Sequence, residues 1–400
     1  MNEILFMQLA QKLEANIWKF YLSQFLYGLF FSIPVIVLFW QDNGLNYKQI
    51  MSLQACFAVF VSIFEIPTGY LSDIIGRKKT IILSGLFLVM AIIAYALGYS
   101  FYNFLLGEFL FAISATLMSG TDSAFIYDTL IDLKKEHLYK KIWGHCLFFN
   151  MLGLAISNIF SGFIADIYSL RATFYASIPF FSLLIPLSFL IYEPKRHQII
   201  KSKYLVKIIK NLKVTLIENI KLKWLIVYSG LIISFLTIGF WLSQSYLKIS
   251  GVPIIYFGIV FAFFQIISAI SSKYAYSIEK FLGQKISLII PILLIAISYL
   301  LMSKFVFIFS FLFCFLHQFA RGFYEPVVSD YINKLVRSDI RATVLSIQSF
   351  VGRVMYAFLL VIFGFITDEY GVIKALYILG FVTLVLGFFV IIKLRLKNVL

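Results

Sequence analysis

The sequence predicts an all-α membrane protein of twelve transmembrane helices. These form two pseudo-symmetric six-helix bundles, with both termini on the cytoplasmic side. Three observations carry this. Of 400 residues, 61% are hydrophobic and 13% charged, and the mean hydropathy is +0.93. A soluble domain could not cover that much apolar surface, so most of the chain faces lipid. The apolar residues fall into runs long enough to cross a bilayer as helices. The basic residues punctuate those runs with a strong bias: 27 of the 34 Lys and Arg fall on one side and five on the other. Such a bias places the rich side in the cytoplasm.

Taken in order, the runs lie at 17–40, 48–71, 80–100, 102–131, 142–166 and 172–193. The first follows a segment with Glu3 and Glu14 and no basic n-region, so an uncleaved helix is expected rather than a signal peptide. The segment 194–222 is the one substantial linker. Its YLVKIIKNLKVTLIENIK stretch spaces apolar residues as a helix does, with Lys between them, which reads as a cytoplasmic surface helix. The remaining runs lie at 223–247, 254–276, 286–303, 305–331, 342–366 and 372–392. The expected domains are therefore 1–193, the linker 194–222, and 223–400.

An internal repeat supports two equivalent halves. Gly162-Phe-Ile-Ala-Asp-Ile-Tyr168 ends the fifth run and Gly364-Phe-Ile-Thr-Asp-Glu-Tyr370 the eleventh, with five of seven positions identical. The fourth and tenth runs align at nearly the same offset, setting Asp122 against Glu325. Two halves in the same orientation imply a parallel repeat about an axis along the membrane normal.

Several function classes are excluded by pattern. The net charge of +15 is dispersed between apolar runs rather than gathered into a nucleic-acid-binding surface. Cys56, Cys146 and Cys314 lie inside apolar runs and make no paired framework. His145 and His317 have no metal-ligand spacing. Neither a phosphate-binding Gly loop nor a Walker-type Lys is present, which argues against ATP coupling. No loop is long enough to build a hydrolytic cleft. No cofactor, metal or enzymatic activity is expected.

Between the second and third runs lies EIPTGYLSDIIGRKKT, Glu65 to Thr80. Gly69, Asp73, Gly76, Arg77, Lys78 and Lys79 match the spacing G-x-x-x-D-x-x-G-R-K/R-K/R. This resembles the cytoplasmic loop signature of the major facilitator superfamily, and the resemblance covers essentially the whole chain. It implies that Asp73, Arg77 and an acid ending the fourth span, here Asp128, form a gating network. An acid at the C-terminal end of its own helix faces the unfavourable end of the dipole. Asp73 is therefore expected to be held by Arg77 or by the helix start after Arg341.

Ionisable residues inside the runs are Glu65, Glu108, Asp122, Arg321, Glu325 and Arg353. Charges at membrane depth are costly and mark a pathway or a pair. Counting back from Asp73 and Asp128 puts Glu65 and Asp122 at similar depth. Low dielectric favours a neutral carboxyl and a nearby Arg the charged one, so such an acid can take up and release a proton. Arg321 and Glu325 share a helix face four residues apart, as a structural ion pair or as cavity groups. The resemblance makes the first, fourth, seventh and tenth helices line the cavity. That adds Gln24 and Gln244 to Glu65, Asp122, Arg321, Glu325 and Arg353 as coupling or substrate candidates. Arg353 is a counter-charge candidate, and Glu108 is expected near the outer interface.

Drug antiporters of the superfamily carry G-x-x-x-G-P-x-x-G-G in the fifth helix. Here the same spacing reads Gly153-Leu-Ala-Ile-Ser157-Asn158-Ile-Phe-Ser161-Gly162, with Asn158 at the Pro position. The stretch RGFYEPVVSDYINKLVRSDIRATVLS is similar to that of bacterial multidrug or metabolite exporters. The implied function is a proton-coupled secondary transporter working by rocker-switch alternating access, with efflux of a drug or metabolite preferred. The alternatives are a proton symporter importing a nutrient or siderophore-like compound, and a non-transporting membrane receptor. The expected partners are a small-molecule substrate, protons and the lipid bilayer of a bacterial inner membrane. The chain is expected to work as a monomer, with no nucleic acid.

Overall fold

The computed structural model describes residues 2–195, 219–336 and 340–397, which are nearly all helical with no strand among them. Most of the predicted linker helix, residues 196–218, lies outside the described residues. The helices are α1 Asn2–Gly28, α2 Ile36–Asp42, α3 Tyr47–Ile75, α4 Arg77–Leu97, α5 Phe101–Met118 and α6 Thr121–Asp132. They continue as α7 Tyr139–Ile167, α8 Ala172–Leu190, α9 Ile220–Ile249, α10 Phe257–Lys304, α11 Cys314–Leu335 and α12 Arg341–Leu396.

Nine stretches among the described residues are long and apolar enough to cross a membrane. Two of them, Ile254–Lys304 and Thr343–Leu396, run to 51 and 54 residues. Each carries an interior glycine outside helical geometry, Gly283 at φ 74° and Gly371 at φ 79°. The 22-residue α11 is not among the nine, because Arg321, Glu325, Asp330 and Lys334 interrupt it.

Local sequence explains the breaks. Gly76 begins α4 at φ 104°, ψ 157°. A residue with a Cβ pays for that conformation, and glycine does not. Gly283 adopts nearly the same angles, φ 74° and ψ 164°. The weak copy of the loop signature at Leu282-Gly283-Gln284-Lys285 thus keeps a glycine break like that of the original while replacing its Arg with Gln284. The expected continuous run 102–131 is interrupted at Ser119–Gly120, where Gly120 is left-handed at φ 75°. Thr121, Asp122 and Ser123 then open a new helix. Such short polar residues after a glycine are helix-start composition.

The chain divides into two compact units, Met1–Phe39 with Val59–Lys201, and Trp40–Ala58 with Ser202–Leu400. In the first, α1 and α7 meet along a glycine seam. A Cβ on Gly28 would lie 2.3 Å from the Asn150 carbonyl oxygen, and one on Gly153 the same distance from that of Phe25. Helices in lipid gain no hydrophobic free energy from pairing, so close backbone approach and hydrogen bonds hold them. Here Ser157 Oγ donates to the Gly28 carbonyl at 3.1 Å. A core of Phe20, Ile81, Phe125, Ile126, Leu130, Ile142, Cys146 and Ile191 surrounds one face of α6. In the second unit Tyr299 Oη donates to the Phe235 carbonyl at 2.9 Å. There Trp40 and Trp241 lie 5.8 Å apart.

Candidate functional site

The loop signature folds into a cluster at the junction of α3, α4 and α6. Arg77 Nη1 lies 2.7 Å from Asp73 Oδ1, and its Nε lies 3.6 Å from Asp128 Oδ2. The three side chains are 17%, 34% and 13% exposed, so water screens their charges only in part. Asp73 sits at the unfavourable end of α3's dipole, and Arg77 one turn later offsets it.

Three residues not singled out from the sequence complete the cluster. Glu193, just past α8, accepts the Arg77 backbone N–H at 2.8 Å and the Lys78 N–H at 2.6 Å. Its carboxylate thereby caps the start of α4, satisfying two donors that have no partner within the helix. Ser72 Oγ accepts from Arg77 Nη1 at 2.9 Å and from Thr121 Oγ1 at 2.9 Å. Ser72 and Thr121 are both buried. A sequence signal existed only for Thr121, in the helix-start composition after Gly120.

Thr121 is the first residue of α6 and Asp122 the second. Asp122 extends the stripe of Phe125, Ile126 and Thr129, which are buried. Its Oδ1 accepts the Ser123 N–H at 2.6 Å, and the positive end of α6's dipole favours its carboxylate. The α3 residue tied to the start of α6 is Ser72, seven positions beyond Glu65, or about 10 Å along a helix. By this tie Asp122 lies nearer the loop than Glu65, not level with it.

The other predicted residues are distributed as follows. Glu65 is half-buried in α3. Gly69 has nothing within 4 Å of where its Cβ would stand, so no close helix contact depends on it. Gln24 is half-buried in α1, and its carbonyl accepts from Asn150 Nδ2 at 3.2 Å. In the second unit, Gln244 is fully buried in α9 and Arg353 half-buried in α12. Arg321 and Glu325 are exposed on one face of α11, and no ion pair within 4 Å joins them among the described residues. Glu108 is buried and accepts from Tyr95 Oη at 2.5 Å. His317 is buried between Ser298 Oγ at 3.0 Å from Nδ1 and Gln318 Nε2 at 3.1 Å from Nε2. The Ser298 hydroxyl donates to the Phe313 carbonyl at 2.7 Å.

The model of the Major Facilitator Superfamily matches residues 20–358. The chain belongs to the Major Facilitator Superfamily. Over 170 residues it is 28% identical to an uncharacterized MFS-type transporter of Methanocaldococcus jannaschii, a match covering 41% of this chain and 42% of that protein. The alignment thus spans less than half of that relative. Among solved structures, a mutant of the nucleoside transporter NupG superposes with a TM-score of 0.83 at 12% identity, covering 94% of this chain and 99% of that one. A POT family transporter in complex with 5-aminolevulinic acid gives 0.74 at 14% identity, covering 95% and 96%. At such identities these likenesses establish the fold. As a Major Facilitator Superfamily member with nine apolar candidate spans among its described residues, the chain is an integral multi-pass membrane protein.

Proposed function

We propose that this protein is a proton-coupled carrier of a small organic solute, working by rocker-switch alternating access in the direction of efflux. The observation that carries the proposal is the double attachment of α6. Its first residue is bonded through Ser72 to Arg77, and Asp128 near its end faces the same guanidinium. Asp122 stands beside the first of these ties. A proton arriving at Asp122 removes the charge that α6's dipole favours, so the helix and its ties to the signature respond together. Asp73, Arg77 and Asp128 act as the latch, with Gly76 setting the turn. Glu65, Arg321, Glu325, Arg353, Gln24 and Gln244 are the remaining candidates for protons and solute. One charge moved through the membrane potential yields about 2.3 kcal/mol per 100 mV, enough to bias a two-state carrier.

The proposed architecture has twelve spans. Two of the nine candidates divide at Gly283 and Gly371, and α11 joins them. The Lys and Arg bias supports cytoplasmic termini, and a monomer in a bacterial inner membrane is the working unit. Efflux is supported by the α7 face of Gly153, Ser157, Ser161 and Gly162, all buried as the antiporter motif implies. A second reading, proton-driven import of a nutrient, is favoured by Asn158, which is buried where that motif has Pro. Fold neighbours named for nucleosides and peptides support a small polar solute in either case. The test is comparative accumulation of nucleosides, short peptides and drugs in cells with and without the gene. Higher accumulation without it supports efflux and lower accumulation import; no difference for any compound contradicts both.

A further inference from the structure

The repeated segment ending at Tyr370 has a contact that the Arg77 cluster does not explain. Asp368 on α12 accepts the Tyr47 N–H on Oδ1 at 2.7 Å and the Lys48 N–H on Oδ2 at 2.8 Å. Tyr47 and Lys48 are the first two residues of α3, so one carboxylate takes both leading donors of that helix. One turn earlier on α12, a Cβ on Gly364 would stand 3.0 Å from Lys48 Cα and 3.0 Å from Met51 Cβ. The missing side chain is what lets the two helices approach. Lys48 Nζ lies 4.2 Å from the Phe365 ring centre. These residues all belong to the second compact unit, although α3 ends in the first.

The helix start does not need this carboxylate in order to form. Asn46 Oδ1 accepts the Gln49 N–H at 2.9 Å, and Gln49 Oε1 accepts the Asn46 N–H at 3.1 Å. That reciprocal pair is a capping box, which supports a helix start by itself. Asp368 is exposed, so water can replace it on the Tyr47 and Lys48 donors at small net cost. A contact that is geometrically specific yet cheap to exchange for water suits a part that must open. Its position points the same way. Asp368 holds the start of the 29-residue α3 and Ser72 lies near its end, 25 positions after Tyr47, or about 38 Å along a helix. The repeat copy, Asp166, is exposed and has no hydrogen-bond partner among the described residues. Two acids equivalent in sequence are thus in different states.

We propose that Asp368 is a releasable clamp on the start of α3, closed in this structure and opened in each transport cycle. Its place in a cycle rests on the carrier reading; its existence as a releasable contact does not.

The test is hydrogen–deuterium exchange of the full-length protein in lipid nanodiscs, resolved to the Tyr47 and Lys48 amides, with flux measured on the same preparations. In the unmodified protein these two amides should exchange at least tenfold faster than those of residues 51–58, because the clamp opens without unfolding α3. Asp368→Asn should speed their exchange about tenfold further while residues 51–58 stay protected. Gly364→Ala should do the same by pushing the helices apart, which keeps the test decisive if one variant fails to fold. Asp166→Asn should leave both amides unchanged. Wild-type amides as slow as residues 51–58, or an Asp368→Asn variant with wild-type exchange, would overturn the clamp. An equal effect from Asp166→Asn would also overturn it, as general loosening. A clamp that behaves as stated in a protein with no detectable flux would sink the carrier reading and leave the clamp standing.

Discussion

Replacing Ser72 with Ala removes one acceptor that serves two donors, the Thr121 hydroxyl and Arg77 Nη1. Arg77 keeps Asp73 at 2.7 Å, so the larger loss falls on Thr121. Thr121 is 3% exposed and Ser72 beside it 1% exposed. Leaving a buried hydroxyl unpaired costs about 1–3 kcal/mol, whereas replacing both partners with apolar groups of similar shape is nearly neutral. Ser72→Ala and Thr121→Val should therefore each lower unfolding stability by about 1 kcal/mol or more. The double variant should recover most of that, giving a coupling energy of about 0.5–1.5 kcal/mol. Flux should not follow stability. If the Thr121–Ser72 tie transmits the state of Asp122 to the latch, proton-driven flux falls about fivefold, the equivalent of roughly 1 kcal/mol. It should fall as far in the double variant as in either single one. The assay is thermal unfolding in detergent alongside flux in proteoliposomes. Flux that returns with stability in the double variant would show the tie to be structural only and would refute the coupling.

Other expectations follow from the same cluster and from the α1–α7 seam. Arg77→Ala leaves Asp73 and Asp128 without their shared cation, and part-buried pairs of this kind contribute about 1–3 kcal/mol, between surface and buried values. Accessibility of single-cysteine reporters to a membrane-impermeant maleimide should shift about tenfold, and an unchanged pattern would contradict the latch. Glu193→Gln should cost about 1 kcal/mol of stability through the α4 cap, while cysteine accessibility stays at the wild-type pattern; a shift there would place Glu193 in the latch. Gly153→Ala must open the α1–α7 seam, since its Cβ would meet the Phe25 carbonyl at 2.3 Å. A loss of about 1–3 kcal/mol is expected on thermal unfolding, and no loss would mean the seam is looser than described.

Much of this was legible in the chain. Apolar runs locate the helices because a segment crossing lipid as a helix satisfies its own backbone groups. Asp73 and Arg77 could be named beforehand because their spacing is carried within a short loop, whereas Asp128 joined them through what the family resemblance implied. What stayed hidden depends on contacts between segments far apart in sequence. Glu193 reads as an ordinary charge after a span until α8 brings it to the α4 start. Ser72 is an unremarkable residue beside Asp73 until α6 breaks and presents Thr121. Hydropathy averages over 102–131 and cannot register a two-residue interruption at Ser119–Gly120, so it gave no sign that Thr121 opens a helix. Asp368 was visible as half of a repeat, but only the fold shows which helix start it holds.

The central claim, that Asp122 couples a proton to solute movement, is tested most directly by Asp122→Asn in proteoliposomes under an imposed pH gradient. The solute is one whose cellular accumulation depends on this gene. The account predicts gradient-driven flux in the wild type, abolished when the gradient is collapsed. The variant should retain solute exchange down its own gradient without response to pH. A variant that remains driven by the pH gradient at the wild-type rate would contradict it.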